Sequence, residues 1–427
     1  MKKSVLGASA LALTLVTTGC WEEPPADPGA TTTTTTTTPD TRVGRFVATT
    51  GVDAGDCSVA AAPCATINFA VGQAADGETV WVEAGTYPEI VSVTKPLTFS
   101  GPNAGIGAGV AAGVRGPEAV VKAFRSPGPH HPSSEYEFNV TIDGFSLDPQ
   151  GDASLLTPDT YHSIALFGGT DVKVVNNVLT GGTYTPTCSY TCTDMMDGAI
   201  GIFSGSYLVS NNLVQNYRRP MDVLQQSPLK PVVDAQFTLN TVKNFSFRGF
   251  WSAEFPANGP FDEGAITIDG NDIIGTDDIF ANPVPTGMLV TAGGVTVKNN
   301  NFSNVGTSVY EELCGTTNPN DIPTVYTGNT FVNVRTGFNL NVVGDCTGRT
   351  PDPSITYNTF TAGLVGADDR HPIGVGVGGL APAPAISAPC NWWGSGDGPG
   401  ALGGSLNARI TPTVDAAPWQ TTLGTCG

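Results

Sequence analysis

The clearest pattern of apolar and polar positions lies in the second half of the chain, where one short phrase recurs at a constant interval. In each copy apolar and polar residues alternate, and an Asn follows, with a further apolar residue two positions later. The regular copies read ITIDGNDII, VTVKNNNFS, TVYTGNTFV and SITYNTFT, and they place Asn271, Asn300, Asn329 and Asn358 at one constant spacing. Looser copies place Asn177, Asn212 and Asn240 upstream at similar but less regular spacings. Alternation of this kind predicts β-strands, and a period of about 29 residues indicates a repeat architecture.

The size of the repeat limits how it can fold. A unit of about 29 residues has room for two or three short strands joined by turns, and it cannot bury its own apolar face. Successive units must therefore stack and share one core, with equivalent strands side by side and parallel. We predict an all-β fold, a single-stranded right-handed parallel β-helix of roughly ten coils.

The recurring Asn suggests how each coil turns. After Gly, Asn is the residue that best tolerates the left-handed backbone region that a sharp turn requires. Stacked at successive coils, the Asn amides can also hydrogen-bond one another in a ladder. If Asn only marked surface turns, it would interchange freely with Gly and Asp, so its presence in all seven copies favours the ladder.

Composition and charge agree with this fold and restrict the partners. Only 13% of the 427 residues are charged, whereas 53 are Gly and 33 are Pro, which suits many strands joined by tight turns. The formal net charge of −19 repels nucleic acid and anionic lipid headgroups. We therefore expect a monomer that does not bind nucleic acid.

The first residues indicate export. Lys2 and Lys3 precede an apolar run from Val5 to Val16 that is too short to span a bilayer. The sequence LVTTGC that follows resembles a bacterial lipobox, and this resemblance implies that residues 1–19 are a signal peptide and that Cys20 carries the lipid. An ordinary signal peptide cut nearby is the alternative. Residues 20–44 contain eight consecutive Thr and predict a disordered tether. We therefore expect a lipid-anchored protein of the cell envelope, located at the outer membrane or the cell surface, with the membrane as a partner.

The number of cysteines also fits a lipid-anchored protein of the cell envelope. Nine Cys is an odd number, and lipidation of Cys20 leaves eight that can pair. Proximity in sequence suggests Cys57 with Cys64, Cys188 with Cys192, Cys314 with Cys346 and Cys390 with Cys426. Other connectivities stay open. We expect no metal site. Cys188 and Cys192 have no further ligands nearby in the sequence, and the adjacent pair His130 and His131 has no third ligand nearby either.

Both ends of the repeat region contain motifs that resemble known β-helix proteins. The segments CATI (64–67), GETVWV (77–82), GTY (85–87) and KPLTF (95–99) resemble the start of many bacterial pectin-lyase-like proteins. This resemblance implies a short capping helix that ends near Ala75, within an N-terminal cap of residues 45–104. The segment NWWG (391–394) resembles a terminal motif of β-helix repeats and implies a C-terminal cap of residues 388–427. Trp392 and Trp393 would then cover the last coil, although a surface platform for sugar rings is the alternative. The β-helix body spans residues 45–427.

Between the Asn phrases lies a second set of strands, which we expect to stack into one ribbon. They cover residues 162–168, 198–204, 220–225, 249–255, 287–292, 307–312 and 337–343. The resemblance to pectin-lyase-like proteins implies that sugar binding or catalysis occurs along this ribbon.

The catalytic candidates on the ribbon are Arg218, Arg219, Asp222 and Glu254. Cleavage of a polysaccharide by elimination needs a basic side chain, often with Ca²⁺ to neutralise the substrate carboxylate. Apart from that Ca²⁺, the sequence indicates no cofactor. Alternatively, the two arginines pair with Asp222 or Glu254 and only make the coil edge soluble. Hydrolysis would need two facing carboxylates, but Asp277 and Asp278 lack the companion motifs of polygalacturonases and fit a solvated turn.

The binding candidates on the same ribbon are Trp251, Tyr310, Glu311, Asn339 and Asn341. An aromatic side chain among amides and carboxylates suits a glycan. We therefore predict a non-catalytic module that binds a glycan or another envelope component. The alternatives are a polysaccharide lyase or, less favoured, a glycoside hydrolase, and a structural spacer or adhesin stalk without a small-ligand site.

Overall fold

The structure is a computed structural model of the 427-residue chain. The residues it describes are 40–126, 138–152, 155, 162–166, 169–186, 194–225, 232–254, 266–276, 285–291, 294–314, 323–344, 353–361, 373–379, 385–399 and 409–426. Residues 42–427 form one compact unit.

The fold is the predicted right-handed parallel β-helix, in which each regular coil contributes three strands. The first strand of each coil joins a parallel sheet of eleven strands, one more coil than the roughly ten that the repeat predicted. These strands are β1 (Arg45–Val47), β2 (Thr79–Val82), β4 (Thr98–Ser100), β6 (Thr141–Asp143), β9 (Val172–Val175), β12 (Gly205–Ser210), β15 (Val232–Thr238), β18 (Ile266–Asp269), β21 (Val295–Lys298), β24 (Val325–Thr327) and β27 (Ser354–Thr356).

The other two strands of each coil form two further ribbons. The short ribbon contains β7 (Ser146–Leu147), β10 (Val178–Thr180), β13 (Leu213–Gln215), β16 (Thr241–Lys243), β19 (Asp272–Ile274), β22 (Asn301–Ser303), β25 (Thr330–Val332) and β28 (Thr359–Phe360). The long ribbon contains β3 (Gly85–Ser92), β5 (Ala119–Arg125), β8 (His162–Leu166), β11 (Met196–Ile202), β14 (Tyr217–Gln225), β17 (Arg248–Glu254), β20 (Thr286–Val290), β23 (Thr307–Leu313), β26 (Thr336–Val342), β29 (Ile373–Gly379) and β31 (Arg409–Ile410). The two ribbons meet at β5, which pairs with both β7 and β8.

The core follows from the regular register. In the first sheet Ile268, Val297, Tyr326 and Ile355 are aligned on consecutive strands, and all four are buried. Aromatic rings stack in the same way along the interior, with Phe331 in face-to-face contact with Phe302 and Phe360. Because each coil repeats the apolar positions of its neighbour, one continuous core runs through the solenoid.

The predicted Asn ladder is present and continues one step further than the sequence repeat. Each ladder amide is buried, and from the second member onward its Oδ1 accepts hydrogen bonds from the backbone N–H and Nδ2 of the preceding ladder Asn. For Asn300 and Asn271 both distances are 2.9 Å. The members are Asn177, Asn212, Asn240, Asn271, Asn300, Asn329, Asn358 and Asn391.

The left-handed turn residue, in contrast, is not the ladder Asn. The residue immediately before it has the positive φ, for example 58° at Asn176, 67° at Gly270 and 58° at Tyr357. This arrangement points the ladder amide into the turn, where its Nδ2 also donates to a backbone carbonyl of the preceding coil, as Asn300 does to Ile268. The turn residue itself varies because its side chain points away from the ladder.

The N-terminal end is closed by the predicted helix, α1 (Ile67–Gln73). The Thr66 hydroxyl caps it by accepting from the Phe69 N–H, and the Glu89 carboxylate accepts from the N–H groups of Ile67 and Asn68. The Cys57–Cys64 disulfide lies beside it, as predicted. The helix and disulfide cover the end of the solenoid, where strand edges would otherwise be unpaired.

The C-terminal end is closed by the NWWG segment and the residues after it. The buried Trp393 stacks on Phe360 with ring centroids 5.0 Å apart and thereby ends the aromatic column, as its predicted capping role requires. The predicted Cys390–Cys426 disulfide is present. The remaining strands of this cap are β30 (Ile386–Ser387), β32 (Val414–Asp415), β33 (Gln420–Thr422) and β34 (Thr425–Cys426).

The Gly-rich insertion after Gly105 is a strap across three coils. Its N–H groups at Gly109 and Val110 donate to the carbonyls of Asn211 and Leu239, and Arg115 donates to the carbonyl of Asn176. The strap therefore satisfies the carbonyls of three successive left-handed turn residues.

Several sequence predictions lie outside the described residues. They concern Cys20, the signal peptide and most of the tether, His130, His131, Cys188, Cys192, Asp277, Asp278 and Cys346. Cys314 is disulfide-bonded. Within the described residues, no helix has the length and apolarity that crossing a membrane requires.

Candidate functional site

The outer face of the long ribbon carries the most concentrated set of charged and aromatic side chains. Asp222 on β14, Trp251 on β17, Tyr310 on β23 and Asn339 on β26 occupy one row, with Leu289 of β20 between Trp251 and Tyr310. The neighbouring positions on each strand point into the core. The seven residues Arg219, Asp222, Arg248, Trp251, Tyr310, Glu312 and Asn341 are here called the Trp251 face.

Trp251 is the centre of this face. It is half-buried, and it packs with a small apolar cluster of Phe203, Leu224 and Ala253 that is separate from the main core. The guanidinium carbons of Arg219 and Arg248 lie 5.1 and 4.8 Å from the centroid of its ring. These are cation–π distances, so both arginines pack against the indole ring.

On one side of Trp251, Asp197 binds both adjacent arginines. Its carboxylate accepts from Arg218 Nε and from Nε and Nη2 of Arg219. Burial raises the pKa of Asp197, but the two guanidinium groups outweigh burial and hold that pKa below its ordinary value. Burial alone would lower the pKa of Arg219, but the charges of Asp222 and Asp197 raise it above its ordinary value. The Asp197 carboxylate and the Arg219 guanidinium are therefore both ionised at neutral pH.

His162 joins this cluster from two coils away. Its Nε2 lies 3.0 Å from Asp222 Oδ2, and it crosses the intervening strand β11 above Gly198 and Gly201. A Cβ added at Gly198 would lie 2.3 Å from the imidazole, so only glycine leaves room for this contact. The Phe203 ring meets the imidazole edge-on at 5.6 Å.

On the other side of Trp251, the face ends in a tyrosine, a glutamate and an amide. Asn341 Nδ2 donates to the Tyr310 hydroxyl at 2.5 Å. Burial raises the pKa of Glu312, and the charge of Arg248 opposes this. Burial and then the charge of Glu312 raise the pKa of Tyr310, so its hydroxyl is protonated at neutral pH.

Two polar atoms of the face are buried without a hydrogen-bond partner in the part of the chain that the structure describes. They are Asp222 Oδ1, an acceptor, and Trp251 Nε1, a donor. The two residues are register partners on adjacent strands. Unpaired buried groups are uncommon in folded proteins, and each one calls for an explanation such as a bound water, ion or ligand.

The structure brings together most of the residues predicted from the sequence, but not all. Arg219, Asp222 and Trp251 converge, Tyr310 and Asn341 hydrogen-bond each other, and Asn339 lies in the same row. Arg218 is buried under the Asp197 ion pair and its cation–π contact with Phe247. The side chain of Glu254 is outside the described residues.

Glu311 is the one binding candidate that the structure places on the wrong side. It pairs in register with Val290 and Leu340 in the inward row and is 6% exposed. Burial raises its pKa to about 7, against the hydrogen bond that the Tyr326 hydroxyl donates to its Oε2 at 3.1 Å. Two glutamates are adjacent in the chain here, and strand alternation means that only Glu312 can face outward.

Sequence reasoning missed His162, Asp197 and Arg248. Each begins or precedes a predicted strand segment, where alternation does not fix the direction of the side chain. The usable signal was the pair Gly198 and Gly201, because glycines in a strand mark the close approach of another group. Among the described residues, no three His, Cys, Asp or Glu side chains are grouped so that they could hold a metal ion.

Comparisons with known proteins add no argument about the fold or the site. Neither a protein-family model nor a curated protein matches the sequence. Among solved structures, the chain is similar to the crystal structure of the Agl-KA catalytic domain, with 10% identity and a TM-score of 0.35. The match covers 80% of this chain and spans 63% of that one. A likeness at this level carries no argument about function.

Proposed function

We propose that the protein is a glycan-binding module of the bacterial cell envelope and that the Trp251 face is its binding surface. The observation that carries the proposal is the half-buried indole packed against Arg219 and Arg248, in one row with Tyr310 and on the same outer face as Glu312 and Asn341. A flat aromatic ring beside charged groups, amides and hydroxyls supplies the apolar and polar contacts that a sugar ring needs. The parallel stacking of strands repeats such groups along the axis, which suits an extended chain.

The test of this proposal is binding of the full chain to a panel of soluble polysaccharides by affinity gel electrophoresis. We expect retardation by at least one polysaccharide and its loss in Trp251→Ala. Trp81→Ala is the matched control, because Trp81 lies in the second coil, far from the face along the chain, and its indole N–H donates to the Val43 carbonyl. Equal retardation of the wild type and Trp251→Ala would contradict the proposal.

A polysaccharide-cleaving enzyme is the second candidate, and the His162–Asp222 pair favours it. A His held by a buried carboxylate is a common arrangement for proton transfer, and Arg219 lies next to it. The same polysaccharides should then yield new reducing ends on hydrolysis, or ultraviolet-absorbing unsaturated ends on elimination, with Ca²⁺ added and omitted in parallel. His162→Gln should abolish product without abolishing binding. Binding without any product supports the non-catalytic module. If the protein neither binds nor cleaves these polysaccharides, the result supports the structural spacer or adhesin stalk.

The lipid anchor belongs to the same proposal. The lipobox-like sequence before Cys20 and the Thr-rich residues 20–44 support a body tethered to a membrane. We expect metabolic labelling with a fatty acid, and recovery in the membrane fraction, for the wild type and not for Cys20→Ala. Membrane recovery of both proteins would contradict the anchor and leave the binding proposal intact.

A further inference from the structure

The charged side chains of the Trp251 face, taken with Arg218 and Asp197, balance one another, which restricts the kind of glycan. Three positive groups, Arg218, Arg219 and Arg248, stand against three negative ones, Asp197, Asp222 and Glu312. The chain as a whole has a formal net charge of −19. No surplus of positive charge is therefore present among these residues to attract a polyanion against the field of the chain.

The arginine fork that would recognise a carboxylate is already occupied. Arg219 uses both Nε and Nη2 to bind Asp197, in the two-point geometry that a substrate carboxylate would need. Arg218 donates to the same carboxylate and is buried. An anionic sugar could use these arginines only by displacing Asp197, and this would leave a buried carboxylate without its partners.

The remaining polar groups suit hydroxyls. Asp222 Oδ1 is a buried acceptor and Trp251 Nε1 a buried donor, both without a partner among the described residues. One hydroxyl can donate to the first and accept from the second, whereas a carboxylate can only accept and would repel Asp222. Both atoms are buried in the unliganded chain, so a ligand hydroxyl reaches them only if the half-buried Trp251 side chain rotates. The Tyr310 hydroxyl lies further along the row, and the Asn341 amide that donates to it lies beside the row.

We infer that the ligand of the Trp251 face is a neutral, hydroxyl-rich polysaccharide and not a uronate or sulfated one. This inference rests on the proposed glycan-binding function and specifies its ligand class. It assigns to Asp222 and Trp251 the recognition of a ligand hydroxyl, and to Asp197 the exclusion of acidic sugars by occupying the arginines.

The test is a comparison of two sets of probes with the full chain. Neutral soluble glucans, mannans, xylans and galactans form one set, and polygalacturonate, alginate and heparin form the other. We expect binding to a member of the neutral set, with a Kd that changes less than about twofold as salt is raised, because no ion pair is screened. Binding restricted to the acidic set, weakening with salt, would overturn this inference and uphold the proposed function. No binding to either set would overturn the proposed function itself.

Two conservative variants test the assigned roles. Trp251→Phe keeps an aromatic ring but removes the indole N–H together with the five-membered ring that carries it, and we expect it to weaken binding of the neutral polysaccharide about tenfold. Trp81→Phe removes an indole N–H elsewhere and should leave the affinity unchanged. Asp197→Asn frees the arginines, and we expect it to gain binding to polygalacturonate. An unchanged affinity in Trp251→Phe, or no acidic binding in a folded Asp197→Asn, would contradict the assignment.

Discussion

The Asn ladder and the Trp251 face show two ways in which a solenoid uses repetition. Along the ladder, every coil places the same residue in the same environment, and each amide bonds to the next one. Along the row of strand positions that runs through the face, the aligned residues are Asp222, Trp251, Leu289, Tyr310 and Asn339, which differ at every step. Identical residues make a scaffold because each one needs its copy. Different residues make a site because each one adds its own chemistry.

This comparison predicts that ladder changes act on stability and face changes on binding. The largest stability effect should come from Asn300→Ala. This change deprives Asn271 of its acceptor and leaves the carbonyls of Ile268 and Lys298 without the Asn300 donor. We expect a loss of about 4 kcal/mol in the free energy of unfolding, measured by urea denaturation. The neighbouring Asn301→Ala is the control, since among the described residues the Asn301 amide makes one 3.4 Å contact, with Asp272, and its loss should cost below about 1 kcal/mol.

The interior glutamate should make stability depend on pH. The pKa of Glu311 is about 7 in the folded chain against 4.5 as the ordinary value, so the folded chain binds more protons between these limits. The contribution of Glu311 to stability is therefore highest below about pH 4.5, falls as pH rises and levels off above about pH 7, a total of about 3 kcal/mol from this group. Glu311→Gln should remove this slope, whereas Glu312→Gln should remove a smaller slope of the same sign, because the pKa of Glu312 is also raised but its side chain is only half-buried. A slope that survives Glu311→Gln would assign it to another group.

A methyl group at Gly198 should disturb the face through His162. The added Cβ would meet the imidazole at 2.3 Å, which forces the ring away from Asp222. We expect Gly198→Ala to cost about 2 kcal/mol. Gly378→Ala on the same ribbon provides the control, because nothing lies within 4 Å of its added Cβ. Equal free energies of unfolding for the two variants would mean that the His162 imidazole is not packed tightly against Gly198.

The smallest effect should come from one hydroxyl at the far end of the face. Tyr310→Phe removes the acceptor of Asn341 Nδ2 and leaves the ring in place. We expect polysaccharide binding to weaken about threefold, with stability changed by no more than about 0.5 kcal/mol. Tyr357→Phe, at an exposed turn residue outside the face, should change neither.

The ladder could be predicted from the sequence in nearly every position, but the face only in part. The repeat interval is visible because seven ladder Asn recur in recognisable copies of one phrase. The eighth, Asn391, belongs to the same ladder but stands in the NWWG motif, where the phrase is lost. The predicted left-handed position was wrong by one residue because the period locates the turn and not the φ angle within it.

The face depends on contacts between coils that no periodic pattern records. Arg219, Asp222 and Trp251 could be selected by residue type on aligned strands. His162 could not, since its contact with Asp222 spans 60 residues and depends on two glycines in between. Glu311 was misplaced because two adjacent acidic residues look alike until strand alternation assigns one to each side.

The most direct test of the division between scaffold and site is one pair of binding isotherms with the same polysaccharide. Trp251→Ala and Asn300→Ala are compared with the wild type by calorimetry, at a temperature where circular dichroism shows all three folded. We predict that Trp251→Ala loses binding at least about tenfold and that Asn300→Ala, although less stable, keeps its Kd within about twofold. Retention of binding by Trp251→Ala, or an equal loss in both variants, would contradict the assignment of function to the Trp251 face.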